Sequence, residues 1–197
     1  MSSPISQVVA ERMRQFEQVG SKNSCAIFNE MCFCILTANY QAKRAIMIQQ
    51  SLGDGFEKLP RHRLAKRLKE LGHRFPNARS AYIVDARSHR GGLARRLRSF
   101  NSESEVRDWV VDNVKGLGLK EASHFLRNVG FKELAIIDFH IVDVLVEYAI
   151  IKRPKYLSKR AYSDIEGKLR VLAKKCGISV AELDLYLWYM ETGQVLK

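Results

Sequence analysis

Apolar residues recur at three- and four-residue intervals along nearly the whole chain, and no stretch shows the strict alternation of a half-buried strand. That periodicity restricts the chain to packed helices. It predicts helices at about 4–18, 24–37, 41–52, 60–71, 77–99, 103–114, 119–129, 139–151, 159–176 and 179–191, with Gly91-Gly92 a candidate break in the fifth. Pro4, Pro60 and Pro76, three of only four prolines, fall near predicted helix starts, where a missing N–H is tolerated. Asn77 and Ser179 are expected N-caps. The expected class is all-α. With 197 residues and no repeat, low-complexity segment or long linker, one unit with a sizeable interior is expected.

Charge narrows the partner. A net charge of +12 points to a polyanion, with nucleic acid ahead of an anionic membrane surface. The excess is concentrated. Residues 58–74 carry one acid, and 87–98 and 152–160 carry none, which favours phosphate contacts over plain solvated helix faces. No 18-residue apolar stretch could span a bilayer, and the first residues lack the charged head and apolar run of a signal peptide. Cys25, Cys32, Cys34 and Cys176 show no metal-ligand spacing, and the first three are expected as reduced core thiols. An intracellular protein without a bound metal is expected.

The stretch KGLGLKEASHFLRN (115–128) joins two amphipathic helices through Lys115, Gly116, Leu117 and Gly118. Glycines let main-chain N–H groups approach a phosphate closely, and the following helix start adds its dipole. The bland alternative is a helix connection with a glycine C-cap. Lys120 then sits in a first helical turn, where a cation is disfavoured by roughly 0.3–1 kcal/mol. A solvated surface charge is the ordinary reading. The functional one is that the same field disfavours the protonated amine and exposes a nucleophilic lone pair.

Downstream, Asp138 stands at the predicted start of the next helix in LAIIDFHI. The helix from Lys120 travels about 13–15 Å away. Residues 130–137 can span about 26 Å when extended, enough to return Asp138 beside Lys120. A plain N-cap is compatible with that placement.

KGLGLKEASHFLRNVG, LAIIDFHI, CFCILTAN and the tail LDLYLWYMETGQVLK together resemble the helix-hairpin-helix superfamily of DNA glycosylases with lyase activity, most closely its mainly archaeal second class of 8-oxoguanine DNA glycosylase/AP lyase. The resemblance runs from about residue 10 to 197. It implies two helical lobes with a cleft between them: about 40–130 bearing the hairpin, and 1–39 with 131–197 forming the other. It implies that Lys120 attacks C1′ of a flipped-out nucleotide and leaves a Schiff base, with strand cleavage 3′ to the lesion by β-elimination. Asp138 would stabilise charge on the sugar, and Lys115, Gly116 and Gly118 would hold the DNA backbone. No cofactor is required, although hairpin carbonyls could take a monovalent cation, and Cys176 alone cannot hold the iron–sulfur cluster of some superfamily members. The implied partner is double-stranded DNA carrying 8-oxoguanine or an abasic site, bound by a monomer in the cytoplasm at the nucleoid.

8-Oxoguanine differs from guanine in carrying N7–H and an oxygen at C8, so an acceptor facing N7 discriminates the two. On helix 179–191, Leu183, Leu187 and Met190 define the expected core face. Asp184, Trp188 and Glu191 share a more polar one. Trp188 suits a stacking platform and Asp184 a reader of the guanine edge, the alternative being a tryptophan half-buried between lobes. By the resemblance, Lys197 helps distinguish the oxidised base, supplying an ammonium donor and a carboxylate acceptor, although a frayed end is the ordinary fate of last residues. Phe75 is a candidate second wall of the pocket or a core residue. Asn39 is a candidate filler of the gap left by the flipped base or an N-cap. His124 and His140 are expected to be packing residues. Two competing functions remain: a glycosylase of this fold acting on another base, and a non-enzymatic DNA-binding hairpin module.

Overall fold

The computed structural model describes residues 4–197, and every regular element among them is helical. The order is α1 (Pro4–Ser21), α2 (Ser24–Thr37), α3 (Ala42–Leu52), the single turn α4 (Gly55–Lys58), α5 (Arg61–Glu70), α6 (Pro76–Ala86), the short α7 (Leu93–Leu97), α8 (Glu103–Asn113), α9 (Leu119–Asn128), α10 (Phe139–Glu147), α11 (Lys159–Cys176) and α12 (Val180–Thr192).

α2 is the axis of the larger half. Its sequence SCAIFNEMCFCILT is apolar all round, so it is covered on every side, and Ile27 through Leu36 include seven side chains with no exposure. Asn23 caps it by accepting from the Ala26 N–H at 3.0 Å. One cluster of buried side chains gathers α2 through α9 around this helix. A second joins α10, α11 and α12, and a third seats α1 on α12 through Val9, Met13, Phe16, Ala181 and Leu185. α2 therefore packs with the hairpin half, although its place in the chain grouped it with the ends.

Several boundaries shift for local reasons. The segment expected at 77–99 divides into α6, a 3-10 turn at Arg87–His89 and α7, because Gly92 takes φ +81°. α6 starts at Pro76 with Phe75 in the cap position, so Asn77 is not its cap. α10 ends at Glu147 rather than 151, since Ala149 enters the left-handed region at φ +54° and Ile150 turns back to the Leu145 carbonyl at 2.8 Å. Ser179 caps α12 in a capping box with Glu182. Met190, expected in the core, is 61% exposed. Cys25 is exposed as well, whereas Cys32 and Cys34 are buried free thiols whose burial holds their pKa values well above the ordinary thiol value.

The carboxyl end of α1 lies directly against that of α9. A Cβ at Gly20 would stand 2.0 Å from the Val129 carbonyl oxygen. Among the described residues no helix is long and apolar enough to cross a membrane.

Candidate active site

The hairpin sets the geometry. Gly116 has φ +88°, and a Cβ there would lie 2.6 Å from the Tyr82 ring, so both conformation and space exclude a side chain. Leu117 is buried and anchors the turn. Gly118 is different: its φ is −85°, its Cβ position meets only Glu121 Oε2 at 3.5 Å, and it begins α9 without any side-chain cap. The first N–H groups of α9 are thus left for an external anion, with the helix dipole behind them. Lys115 is exposed, 3.2 Å from Asp85.

Lys120 is the second residue of α9. Its ammonium is partly exposed and 3.7 Å from Glu121 Oε1. After α9 the chain returns through residues 130–137, and side chains from elsewhere hold this irregular segment in place. The Glu103 carboxylate accepts the N–H groups of Lys132 and Glu133 at 3.0 and 2.7 Å. Glu166 accepts from the Ala135 N–H at 2.9 Å. The Tyr162 hydroxyl donates to the Ala135 carbonyl at 2.7 Å and accepts from the Ile137 N–H at 3.2 Å. Asp138 follows at once and caps α10 through the Ile141 N–H at 3.0 Å.

Lys120 and Asp138 line one cleft of about 640 Å³. Trp188, Asp184, Asn39 and Lys197 line it too, with His124 and His140. Phe75 does not. It sits at the start of α6 with the Arg74 and Arg79 guanidiniums 5.0 and 5.7 Å from its ring. Asn39 is exposed with φ +56°, a conformation asparagine tolerates, and Gln41 rather than Asn39 precedes α3 in the cap position.

The polar groups around the cleft are connected. Asp184 is not a free reader of a base edge, because the buried Arg127 guanidinium pairs with its Oδ2. Burial pushes the Asp184 carboxyl above its ordinary pKa; Arg127 pulls the other way and Asp138 adds to the push. Arg127 also bonds the Asn128 side-chain oxygen at 3.0 Å, and Asn128 donates to Glu30 at 2.7 Å. Glu30 in turn holds the Lys197 ammonium at 2.9 Å, with Gln49 at 2.6 Å and the Phe33 ring 4.3 Å below. The ammonium expected to face a base is therefore already bonded within the protein.

His124 is buried with Nε2 unpaired, its ring edge-on to Phe33 at 5.7 Å. Burial, followed by the charges of Arg127 and Lys120, holds its pKa well below the ordinary value, so it is neutral. His140 lies edge-on to Trp188 at 6.3 Å. The buried Trp188 Nε1–H has no hydrogen-bond partner among the described residues. Among the described residues no group of three metal-ligating side chains occurs.

Reading the sequence alone overlooked Arg127, Glu30, Gln49 and the Tyr162–Glu166 brace. Glu30 carried a signal, as the one charged residue in a largely apolar helix. Phe139 also escaped notice: it lines the cleft with 74% of its surface exposed.

A glycine hairpin feeding one wall of a cleft between two helical halves is the architecture of helix-hairpin-helix glycosylases. The comparisons with known proteins are closer than that. A family model described as 8-oxoguanine DNA glycosylase matches residues 9–178. An 8-oxoguanine DNA glycosylase/AP lyase of Korarchaeum cryptofilum is 48% identical over 99% of this chain and 93% of its own length. A crystal structure of the Methanocaldococcus jannaschii 8-oxoguanine glycosylase/lyase with a 15mer DNA containing 8-oxoguanine superimposes with a TM-score of 0.95 at 46% identity, covering 99% of this chain and 94% of that one. The Thermotoga maritima 8-oxoguanine DNA glycosylase gives 0.91 at 39% identity over 98% and 92%. The chain belongs to the 8-oxoguanine DNA glycosylase family.

Proposed function

We propose that this chain is a bifunctional DNA glycosylase/AP lyase that removes 8-oxoguanine from double-stranded DNA and cuts the strand 3′ to it. The observation that carries this reading is the meeting of Lys120 and Asp138, each at a helix amino end, in the cleft that Trp188 and Lys197 also line.

The base must leave the stack before its sugar is accessible. The hairpin N–H groups, with Lys115 beside them, hold the backbone phosphate. Trp188 lines the cleft and offers a face to the extruded base. With the Lys197 ammonium bound to Glu30 and Gln49, the acceptor for N7–H is the Lys197 main chain. Guanine, lacking that hydrogen, would set two acceptors against each other. Asp184 contributes through its pair with Arg127, which shapes the floor beneath the base. Asn39, at the rim, fills the vacated stack. Phe75, outside the cleft lining, carries no assigned contact with the base while the cleft has this shape.

In its neutral form the Lys120 amine attacks C1′. The C1′–N9 bond breaks, and its electron pair leaves with the base, which takes up a proton. Asp138 stabilises the positive charge that builds on the sugar and accepts a proton from the amine. The C1′–O4′ bond then opens, O4′ taking up a proton, and the iminium so formed acidifies C2′; loss of a C2′ proton expels the 3′ phosphate, and water hydrolyses the imine to release the amine. The chain's own amine and carboxylate, with water, suffice for each step. The carbonyls of Lys115, Gly116 and Leu117 accept no hydrogen bond among the described residues and are the ligands a monovalent cation would take at the hairpin. We place the protein in the cytoplasm at the nucleoid, acting as a monomer whose two lobes are the walls of the cleft.

Borohydride trapping tests the reading. A covalent adduct on 8-oxoguanine duplex, absent with Lys120→Gln and absent on undamaged DNA, is expected. Trapping only on an oxidised pyrimidine would identify a different glycosylase, and no trapping at all would leave a DNA-binding module.

A further inference from the structure

Two grooves lie away from the cleft and run into each other. The first, about 480 Å³, is lined by His89, Arg95, Arg96, Trp109 and Asn113 among others. The second, about 720 Å³, is lined by Asn23, Ser24, Arg95, Arg98 and others. They share Gly92, Arg95 and Ser99, and neither contains a carboxylate. The track starts beside the hairpin, since Asn113 ends α8 two residues before Lys115 and its carbonyl meets His89 Nε2 at 3.1 Å. It ends at Ser24, the first residue of α2, whereas the cleft lies at the other end of the same helix, at Thr37. Fourteen helical residues put those ends about 20 Å apart.

The cations on this track are largely uncommitted. Arg95, Arg96 and Arg98 are all exposed. Among the described residues Arg95 makes no hydrogen bond or ion pair, Arg96 rests 5.8 Å from the Trp109 ring, and Arg98 donates only to the Gly20 carbonyl at 2.7 Å. Arg90 and Arg87 of the same segment differ, being bound to Glu57 and to the Phe56 and Leu59 carbonyls. A file of guanidiniums with no carboxylate partner among the described residues, with serine and asparagine between them, is a surface for phosphodiesters.

We propose that this track binds the backbone of one duplex arm flanking the lesion, the arm on the hairpin side, so that bound DNA continues around the flank of the protein. The proposal rests on the glycosylase reading. Continuity with the hairpin identifies the occupant as the same DNA molecule. At 3.4 Å per base pair, the 20 Å or so between the cleft and the far end of the track corresponds to roughly six base pairs beyond the lesion.

The test measures affinity for lesion duplexes whose arms are lengthened one side at a time, using full-length chain with Lys120→Gln so that the DNA stays intact. Lengthening one arm by about six base pairs is expected to tighten binding several-fold, and lengthening the other is not. In an Arg95→Gln/Arg98→Gln chain the gain disappears, and the salt slope on the long duplex falls by about 2, as for two lost phosphate contacts. Binding to the short duplex is unchanged. Arg95→Gln alone, which breaks no internal bond, retains about half of the effect. Equal gains from both arms, no gain from either, or equal weakening on short and long duplexes would overturn the proposal. So would dissociation hastened by competitor duplex in an Arg95-dependent way, which would assign the track to a second DNA molecule. Excision of 8-oxoguanine from the short duplex by the unsubstituted chain reports on the glycosylase reading separately.

Discussion

Two buried arginine–carboxylate pairs join the halves of the molecule, and they serve different ends. Arg107 meets Glu166 through two bonds of 2.5 and 3.0 Å, and the same carboxylate also takes Arg170 and the Ala135 N–H. Every lone pair there is engaged, in the interior and away from the cleft. Arg127 and Asp184 make the other pair at the cleft floor, where the carboxyl stays above its ordinary pKa for want of comparable solvation. A carboxylate with all its acceptor sites filled marks a pair that holds the chain in place. An under-solvated carboxyl beside Lys120 and Asp138 marks one kept where charge will develop.

If that contrast is right, substitutions should separate activity from stability. The largest effect belongs to Lys120→Gln: single-turnover lesion cleavage falls by roughly a thousandfold or more, while the melting temperature holds or rises slightly as a cation leaves a helix start. A comparable loss of stability would erase the distinction. At the other pair, Glu166→Ala should cost about 3–5 kcal/mol in urea unfolding, because it strands the Arg107 charge in the interior. A cost below about 1 kcal/mol would show that this brace is not structural.

The hairpin gives a smaller contrast of the same kind. Gly116→Ala is expected to lose about 1–3 kcal/mol from strain at positive φ and overlap with Tyr82. Gly118→Ala stays within about 0.5 kcal/mol yet weakens DNA binding, as filter-binding titrations on undamaged duplex would reveal. His124 offers a pH test. Its folded pKa is depressed, so the unfolded chain binds the proton first and stability falls with pH below about 6.5, with a limiting slope of about 1.4 kcal/mol per unit. His124→Gln should flatten that limb of the urea midpoints. Asp184→Asn lowers stability at every pH by removing the Arg127 partner, and its effect on the pH slope is the smallest of the set, with the opposite sign. A raised folded pKa means that the wild type loses stability as pH climbs from about 4 through that value, whereas the asparagine variant does not.

What was legible in the sequence was local. The Ser179 capping box, the Asp138 cap and the glycine hairpin each depend on residues within a few positions of one another. The extended reach of 130–137 was enough to bring Asp138 back to the mouth that Lys120 shares. What escaped depends on distant partners. Arg127 meets Asp184 across 57 positions, and Lys197 meets Glu30 across 167. No periodicity connects such residues. Phe75 stayed open for the reverse reason: an aromatic before a proline looks the same whether it faces a cleft or two neighbouring arginines. Gly91-Gly92 broke its helix because left-handed backbone is a property of the residue itself.

The contact at Gly20 has a reach that its position conceals. With the Val129 oxygen so close, the opening helix and the lysine-bearing helix have no clearance between their ends, and the Phe16 ring lies 5.0 Å from the Arg127 guanidinium. Any side chain at residue 20 must push the two helices apart. The displacement would travel along α9, tilting the base-binding floor at one end and the nucleophile at the other. A methyl group a hundred positions before Lys120 could therefore misalign the enzyme as surely as damage inside the cleft.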